Sequence, residues 1–474
     1  MSNEQADSVA AEEQPKQQQE PEQQPQAEAG KKEEAAAVEV KENGDAAAED
    51  AQPEPEPKQM RAVVLNSFGG MKGVKILKRP EPTPAEGELL IRVSACGLNF
   101  QDLMLRQGVI DCPPKCPFVL GTECAGEIEQ VGEGVEGFAV GDKVVALTEC
   151  RAWAELVAVP AKYVYKLPAG MSPLDAAAIT MNYTVAYILL FEMAGIVSGK
   201  SVLVHSAGGG VGQAVVQLAR TVPDVTIFGV CSKGKHEHLN GNAANIDHLL
   251  ERSSDYPNEV RKVKPEGVDV VLDCLCGEEC NRGYSLLKPM GKYILFGSSN
   301  VVTGETRSIL SAARSWWQVD KISPIKLFDE NKTMMGFNMR HLMFHQGEHA
   351  YVRSIVEKVF ALFTAGKIKP HADSTWALED VSDAMQKMHD RKNVGKIILD
   401  PAMEPKPKPA TPAKGKKKQS SEEKKDEEAE KKKDDKKADA AKEGEEEKKE
   451  EVMTNGDSGD SAESKDKEEE KASS

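Results

Sequence analysis

The chain has 474 residues, a formal net charge of -16 at pH 7 and 39% hydrophobic residues. Residues 1–59 carry 16 acidic and 5 basic side chains, and residues 401–474 carry 23 and 19. The middle, residues 60–400, is almost neutral, with 38 acidic and 37 basic side chains, and lacks the basic excess typical of nucleic-acid-binding proteins. Both ends have too few large apolar residues to offset the entropy of ordering, so we expect disordered tails over 1–59 and 401–474.

The composition also argues against a membrane span and a secretory signal. The most apolar stretch, Thr184 to Val197, is shorter than the roughly 18 residues of a spanning helix and contains Glu192. The N-terminus has no basic start followed by an apolar block. All nine cysteines lie between Cys96 and Cys280, which is typical of reduced thiols in the cytosol. We therefore expect a cytoplasmic protein.

The predicted elements change character along the middle of the chain. Residues 61–168 show short apolar runs with period-2 stretches and Gly/Pro punctuation, which predict a compact β domain. Ser172, followed by a proline, predicts the start of a helix. After Lys200 continuous apolar strands alternate with helices, and CNRGYSLLKPM is one of the helical segments. This pattern predicts an α/β domain with a doubly wound parallel sheet.

The strongest local signal is SVLVHSAGGGVGQAVVQLAR, residues 201–220. A buried strand ends near His205, three glycines follow, and a helix opens at Val211. A pyrophosphate can approach the backbone at such a turn and meet the positive end of the helix. A dinucleotide site is therefore predicted, although Gln213 replaces the last glycine of the strict fingerprint.

The end of the next strand decides which dinucleotide fits. An NAD site carries an acid there for the ribose hydroxyls, whereas this chain has Ser232, Lys233 and Lys235 and no acid. A charge-assisted hydrogen bond of roughly 1.5–3 kcal/mol would favour NADPH over NADH by about one to two decades. Ser232 and Lys235 are the predicted phosphate partners, and ordinary surface lysines remain the alternative.

From Gly199 through Arg220 the chain resembles the quinone oxidoreductase branch of the medium-chain dehydrogenase/reductases. ACGLNFQDLMLRQG, NYTVAYILLFE and KNVGKIIL resemble, more narrowly, the synaptic vesicle membrane protein VAT homologs and their homolog-like group. The resemblance covers about residues 60–400. It implies a GroES-like domain over 60–182, a Rossmann NADPH-binding domain over 183–327, a return to the GroES-like domain over 328–400, and a homodimer.

The resemblance also implies roles for individual residues. Asn99 would lie near the nicotinamide as the polar group beside the accepting oxygen, and Asp102 would shape the pocket with Arg106. An ordinary helical ion pair is the alternative for Asp102 and Arg106, which are four residues apart. The cofactor set comprises Thr184, Gly209, Gly210, Val211, Gly212, Ser232, Lys235, Phe296 and Ser298.

Zinc is not expected. Asn99 and Thr122 stand where the resemblance places the Cys and His ligands of the alcohol dehydrogenase type, and no lobe of four closely spaced cysteines is present. His341, His345 and His349 have helical spacing, but we interpret them as a polar surface face.

Two functions remain open at this level. The first is an NADPH-dependent reductase of quinones or other activated carbonyl compounds, such as enals. The second is a binding protein of vesicle or mitochondrial outer membranes that handles lipid and uses the NADPH fold as a sensor or scaffold. Ile110, where many quinone reductases have a tyrosine, favours the second, and the complete glycine loop favours the first. Glu251 stands where the resemblance often places a tyrosine near the adenine ribose.

Overall fold

The structure is a computed structural model that describes residues 57–239, 245–302, 304 and 322–407. Most of the two predicted tails lies outside these ranges. Their inner ends belong to the fold, because Gln59 begins the first strand and the ammonium of Lys406 lies 3.5 Å from the ring centroid of Trp376. The folded part therefore extends slightly beyond the predicted limits of 60 and 400.

Antiparallel strands form the first part of the chain, as the period-2 pattern predicts. The strands are β1 (Gln59–Leu65), β2 (Val74–Pro80), β3 (Glu88–Leu98), β4 (Phe118–Val119), β5 (Glu123–Val131), β6 (Lys143–Leu147), β7 (Leu156–Pro160) and β8 (Val164–Lys166). Helix α1 (Phe100–Gln107) directly follows β3. A three-stranded sheet has the order β2-β1-β4, and β3, β5, β6, β7 and β8 belong to a second sheet that the C-terminal strands complete.

Helix α2 (Pro173–Tyr187) begins where the sequence predicts. The Ser172 hydroxyl accepts a hydrogen bond from the Asp175 N–H at 3.1 Å, which satisfies one of the free donors of the first turn. The helical run continues to Met193 and is long and apolar enough to cross a membrane, but 72% of it is buried inside the protein, as in the core helix of a globular domain. The predicted domain boundary at residues 182–183 falls inside this helix.

Parallel strands form the second part. They are β9 (Ser201–His205), β10 (Thr226–Cys231), β11 (His248–Glu251), β12 (Val268–Asp273), β13 (Leu287–Leu295) and β14 (Thr333–Gly336), in the order β11-β10-β9-β12-β13-β14. The helices are α3 (Gly210–Ala219), α4 (His236–Leu239), α5 (Tyr256–Val263), α6 (Glu278–Ser285) and α7 (Pro324–Glu330). This sheet confirms the predicted doubly wound α/β architecture beside the GroES-like β part.

One predicted helix is partly wrong. The segment CNRGYSLLKPM is helical only up to Ser285, and Leu287 already begins β13. Leu287 pairs with Val268 of the neighbouring strand, and its side chain is buried. A strand forms here because it buries Leu287 in the sheet core, and this tertiary packing outweighs the local helical propensity of the segment.

The chain returns to the first sheet at its end. Helix α8 (His349–Thr364) precedes β15 (Ala372–Ala377), α9 (Val381–His389) and β16 (Lys396–Asp400). Strands β15 and β16 complete a seven-stranded sheet by pairing β16 with β3. Strand β14 still pairs with β13 of the parallel sheet, so the chain leaves that sheet after residue 336, later than the predicted 328.

Candidate functional site

The glycine loop joins β9 to α3 through a sharp turn. Ser206 has a φ of +58°, and the Gly209 N–H donates to the Ser206 carbonyl at 2.7 Å. Helix α3 begins at Gly210, and no described side chain caps its N-terminus. The N–H groups of its first turn therefore remain available to an anion.

Two glycines of this loop lie against neighbouring atoms. A Cβ on Gly212 would lie 2.7 Å from Cα of Ala207, and one on Gly210 would overlap the side-chain amide of Asn182. Val211 between them packs against the main hydrophobic core. The close contacts explain why this loop is made of glycine, and they leave its backbone bare as a phosphate cradle requires.

Two cationic side chains lie against the loop, and a third, Arg391, donates to the Ser299 carbonyl at 3.1 Å and lies close enough to act on the charges of both. Lys235 packs over Gly208 and donates to the Asn393 carbonyl at 2.5 Å, while Arg252 donates to the Ser206 hydroxyl at 2.9 Å. The pKa of Lys235 is lowered to about 8, mainly by burial and also by the positive charges of Arg252 and Arg391, although Cys231 and Asp373 oppose the shift. Burial and then the charge of Arg252 also lower the pKa of Arg391. Like charges gathered in this way fit a polyanionic ligand.

Sequence reasoning found only one of these three cations. Arg252 comes directly after β11, at the carboxyl edge of a parallel sheet, where ligands of this fold bind. That rule could have found Arg252. Arg391 follows α9 in a segment far from the parallel sheet along the chain, and no local pattern points to it.

The other predicted cofactor residues occupy different parts of this region. Ser232 is exposed at the turn after β10, and its carbonyl accepts from the Lys235 N–H at 3.0 Å. Phe296 and Ser298 follow β13 and are half-buried. Thr184 is fully buried on α2, and its hydroxyl has no hydrogen-bond partner among the described residues. An orphaned buried hydroxyl is the kind of group that a ligand amide can satisfy.

A second polar cluster lies where β3 meets α1. The Asn99 N–H donates to Asp102 at 2.8 Å, and the Asn99 side-chain nitrogen donates to Thr122 and Glu123 at 3.3 and 3.4 Å. Lys396, at the start of β16, donates to the Asn99 side-chain oxygen at 2.7 Å and to Glu123 at 2.6 Å. The predicted catalytic amide is therefore part of a buried ionic network that sequence reasoning missed.

This cluster does not fit a zinc ion. Asn99 and Thr122 offer an amide and a hydroxyl where zinc requires thiolate or imidazole. The ammonium of Lys396 already places a positive charge against Asn99 and Glu123, and a divalent cation beside it would be repelled. Across residues 57–239, 245–302, 304 and 322–407, no three His, Cys, Asp or Glu side chains gather as a metal site.

Asp102 is fully buried beside this network. Burial raises its pKa to about 7, although the hydrogen bond from the Asn99 N–H and the charge of Lys396 oppose the shift. One carboxyl oxygen has no hydrogen-bond partner among the described residues. Arg106 is also buried and donates to the Gly69 carbonyl at 2.6 Å. Among the described residues, Asp102 therefore interacts with Asn99 and with the cluster around Lys396.

A short segment before β16 connects the two clusters. The Gly395 N–H donates to the Gly208 carbonyl of the glycine loop at 3.0 Å, and the next residue is Lys396 of the buried network. The Asn393 carbonyl accepts a hydrogen bond from Lys235, and the Asn393 side-chain nitrogen donates to the Gly395 carbonyl at 2.9 Å. The cofactor loop and the predicted acceptor pocket therefore share one piece of backbone.

The three histidines do not form one face. His341 and His345 stack with ring centroids 4.7 Å apart on a π-helical turn, and each faces a carboxylate, Asp111 at 3.6 Å and Glu149 at 3.5 Å. His349 lies beyond a break and packs on the ring of Tyr163. The predicted common face is wrong, because Gly347 has a φ of +78° that ends the helical turn.

Comparison with known families agrees with this architecture. Residues 85–169 match the alcohol dehydrogenase GroES-like domain. Residues 246–399 match the family described as zinc-binding dehydrogenase. The second description names zinc, whereas the residues of this chain described above do not fit that ion.

Individual relatives cover most of the folded part. The human synaptic vesicle membrane protein VAT-1 homolog-like is 54% identical over 349 residues, 74% of this chain and 83% of that protein. The synaptic vesicle membrane protein VAT-1 of Tetronarce californica is 42% identical over 363 residues, 76% of this chain and 93% of that protein.

Solved structures share the fold. The human VAT-1 homolog-like structure has a TM-score of 0.65 at 49% identity, covering 73% of this chain and 99% of its own. A mycobacterial protein complexed with NADPH has a TM-score of 0.63 at 27% identity, and the match covers 72% of this chain and 100% of that one. The CurK enoyl reductase has a TM-score of 0.61 at 26% identity, covering 72% and 99%.

Proposed function

The chain belongs to the VAT-1 homolog family of medium-chain dehydrogenase/reductases, and from this premise we propose that it is an NADPH-dependent reductase of quinones or other activated carbonyl compounds. Oxidoreductase chemistry follows from the family. The observation that carries the choice of NADPH is that Lys235 and Arg252 lie against the glycine loop, with Arg391 close enough to act on the charges of both.

The residues around the loop fit a dinucleotide phosphate. Gly210 and Gly212 leave the backbone bare, and the first N–H groups of α3 hold the pyrophosphate. Lys235 and Arg252 would hold the additional phosphate on the adenosine ribose, because the Lys235 side chain packs against Gly208 and Arg252 donates to the Ser206 hydroxyl. The unpartnered hydroxyl of Thr184 receives the carboxamide end.

Bound NADPH supplies the hydride. The chain itself must then orient the acceptor, exclude water and polarise the accepting oxygen. Asn99 is half-buried, and among the described residues its side-chain nitrogen makes two long contacts, to Thr122 and Glu123. Contacts this long leave an N–H free to donate to an acceptor oxygen beside them without reorientation of the amide, and such a preorganised donor stabilises developing negative charge.

Ile110 shapes the choice of acceptor. It packs against the core of the first sheet and offers no phenolic proton donor. The proton that completes the reduction therefore comes from solvent or from the polar cluster around Asn99, and acceptors whose reduced form tolerates slow protonation, such as quinones, are favoured over simple ketones.

Membrane association is a second proposed property. Relatives named as synaptic vesicle membrane proteins favour a peripheral association with vesicle membranes, and a lipid-handling role with little reductase activity is the alternative function. A homodimer is also proposed. Strand β14 ends the order of the described parallel sheet, and Met290, Ile325 and Phe328 near it are exposed.

One preparation tests these proposals. NADPH oxidation is measured with a panel of quinones and enals, with and without a chelator, while vesicle binding and solution mass are measured alongside. We expect turnover with at least one acceptor class, chelator-insensitive activity and zinc well below one ion per chain. Binding of NADPH and anionic vesicles without turnover would replace the reductase proposal by the lipid-handling one.

A further inference from the structure

Lys396 is a buried cation at the centre of the acceptor pocket. Its side chain is 2% exposed, and that of its ion-pair partner Glu123 is fully buried. Removing two charges from water is costly, and a buried pair is weak evidence for stability. A role in organising the neighbouring polar groups explains this arrangement better.

The ammonium determines which way the Asn99 amide faces. An ammonium can only donate hydrogen bonds, so the atom of Asn99 that lies 2.7 Å from it must be the oxygen. The nitrogen then faces Thr122 and Glu123. Glu123 favours the same orientation, because a carboxylate can only accept, whereas the Thr122 hydroxyl can accept or donate. Lys396 and Glu123 therefore fix the amide together.

Glu123 holds the ammonium in place. One of its oxygens accepts from Lys396 at 2.6 Å and the other from the Met181 N–H of α2 at 2.7 Å. The residue after Met181 is Asn182, whose amide fills the space beside Gly210. Lys396 is therefore fixed between the first sheet and the helix that contacts the cofactor loop.

We propose that Lys396 is a positioning residue: by holding the Asn99 amide oxygen it keeps the side-chain nitrogen on the side of Thr122 and Glu123, where one of its N–H groups donates to the acceptor oxygen. This inference rests on the proposed reductase function. Lys396 does not act on the acceptor; it acts through Asn99. We therefore expect the loss of Lys396 to lower kcat only when Asn99 is present.

The first test is a double-mutant cycle. Lys396→Met should lower kcat by about 10²–10³, the typical effect of losing one oxyanion donor, with an unchanged Kd for NADPH. Because Lys396→Met leaves Glu123 unpaired, the variant Lys396→Met/Glu123→Gln is measured as well. In an Asn99→Ala background either change should have almost no further effect on kcat. Lys396→Arg, which can still donate to the amide oxygen, should recover most of the loss.

The second test does not need turnover. The protein is labelled with ¹⁵N at asparagine, and the side-chain amide of Asn99 is assigned from the signal that Asn99→Ala removes. In the wild type the two amide protons should be inequivalent and protected from exchange with water. In Lys396→Met/Glu123→Gln they should exchange several-fold faster.

The outcomes separate this inference from the proposed function. Multiplicative losses of kcat in the cycle, or an Asn99 amide whose exchange ignores Lys396, would overturn the positioning role. If the wild type reduces no acceptor, the reductase proposal fails, and the exchange experiment still decides whether Lys396 orients the amide.

Discussion

The glycine loop after β9 and the predicted acceptor pocket around Asn99 differ in how their buried positive charges are balanced. Around the loop, Lys235, Arg252 and Arg391 lie close enough to repel one another, and burial lowers the pKa of Lys235 and Arg391. In the pocket, the cation Lys396 is neutralised by Glu123 at 2.6 Å. The loop therefore carries positive charge that an anionic ligand would balance, whereas the buried cation of the pocket is already paired with a carboxylate.

The largest expected effect is at the loop. Gly210→Val should abolish NADPH binding, because its side chain would collide with the amide of Asn182 and block the phosphate cradle. Gly234→Val is the matched control, since a Cβ there would meet no atom within 4 Å. Fluorescence titration with NADPH measures both variants, and normal binding by Gly210→Val would show that the cofactor lies elsewhere.

The burial of Asp102 in the pocket should affect how the free energy of unfolding depends on pH. The pKa of Asp102 is raised to about 7 in the fold from about 3.9 in an unfolded chain, so the unfolded state loses its proton first. Wild-type stability should therefore fall as the pH rises from about 4 to about 7, by roughly 1.4 kcal/mol for each pKa unit. Asp102→Asn should remove this slope while still accepting from the Asn99 N–H.

Urea unfolding at several pH values measures that difference. Asp329→Asn, the same change on an exposed part of α7, serves as the control and should follow the wild type. An Asp102→Asn variant with the wild-type slope would mean that this carboxyl is ionised in the folded protein throughout the range.

A smaller effect is expected on the preference for NADPH over NADH when Lys235 is replaced. Lys235→Ala should narrow the ratio of NADPH to NADH affinity by about a decade, as expected for one charged hydrogen bond. Lys233→Ala, at an exposed neighbour, should leave the ratio unchanged. Equal affinities for the two dinucleotides in the wild type would refute the phosphate site.

The smallest effect should come from the tails. A chain of residues 57–407 should melt at nearly the same temperature as the full chain, because the removed segments have little apolar surface. Shortening it to 60–400 should cost a few degrees, since Arg61 donates to the Pro401 carbonyl at 2.6 Å and Lys406 lies on Trp376. A large loss in the longer variant would indicate a tail that docks on the fold.

The contrast also explains what the sequence could predict. The glycine loop is local: strand, glycines and helix are contiguous, and His205 and Gly210 lie within one residue of the predicted limits. The pocket is assembled from β3, β5 and β16, so Lys396 lies 297 positions from Asn99. No periodicity or spacing connects such residues, and a lysine in GKIIL looks like an ordinary strand residue until the pairing of β16 with β3 is known.

The central claim is tested most directly by turnover of Asn99→Ala at saturating NADPH, with the acceptor that the wild type reduces best. The account predicts that kcat falls by about 10²–10³ while the Kd for NADPH changes little, because Asn99 contacts the pocket network and not the glycine loop. Asn258→Ala, in α5, should keep wild-type turnover. Full activity in Asn99→Ala would contradict the account.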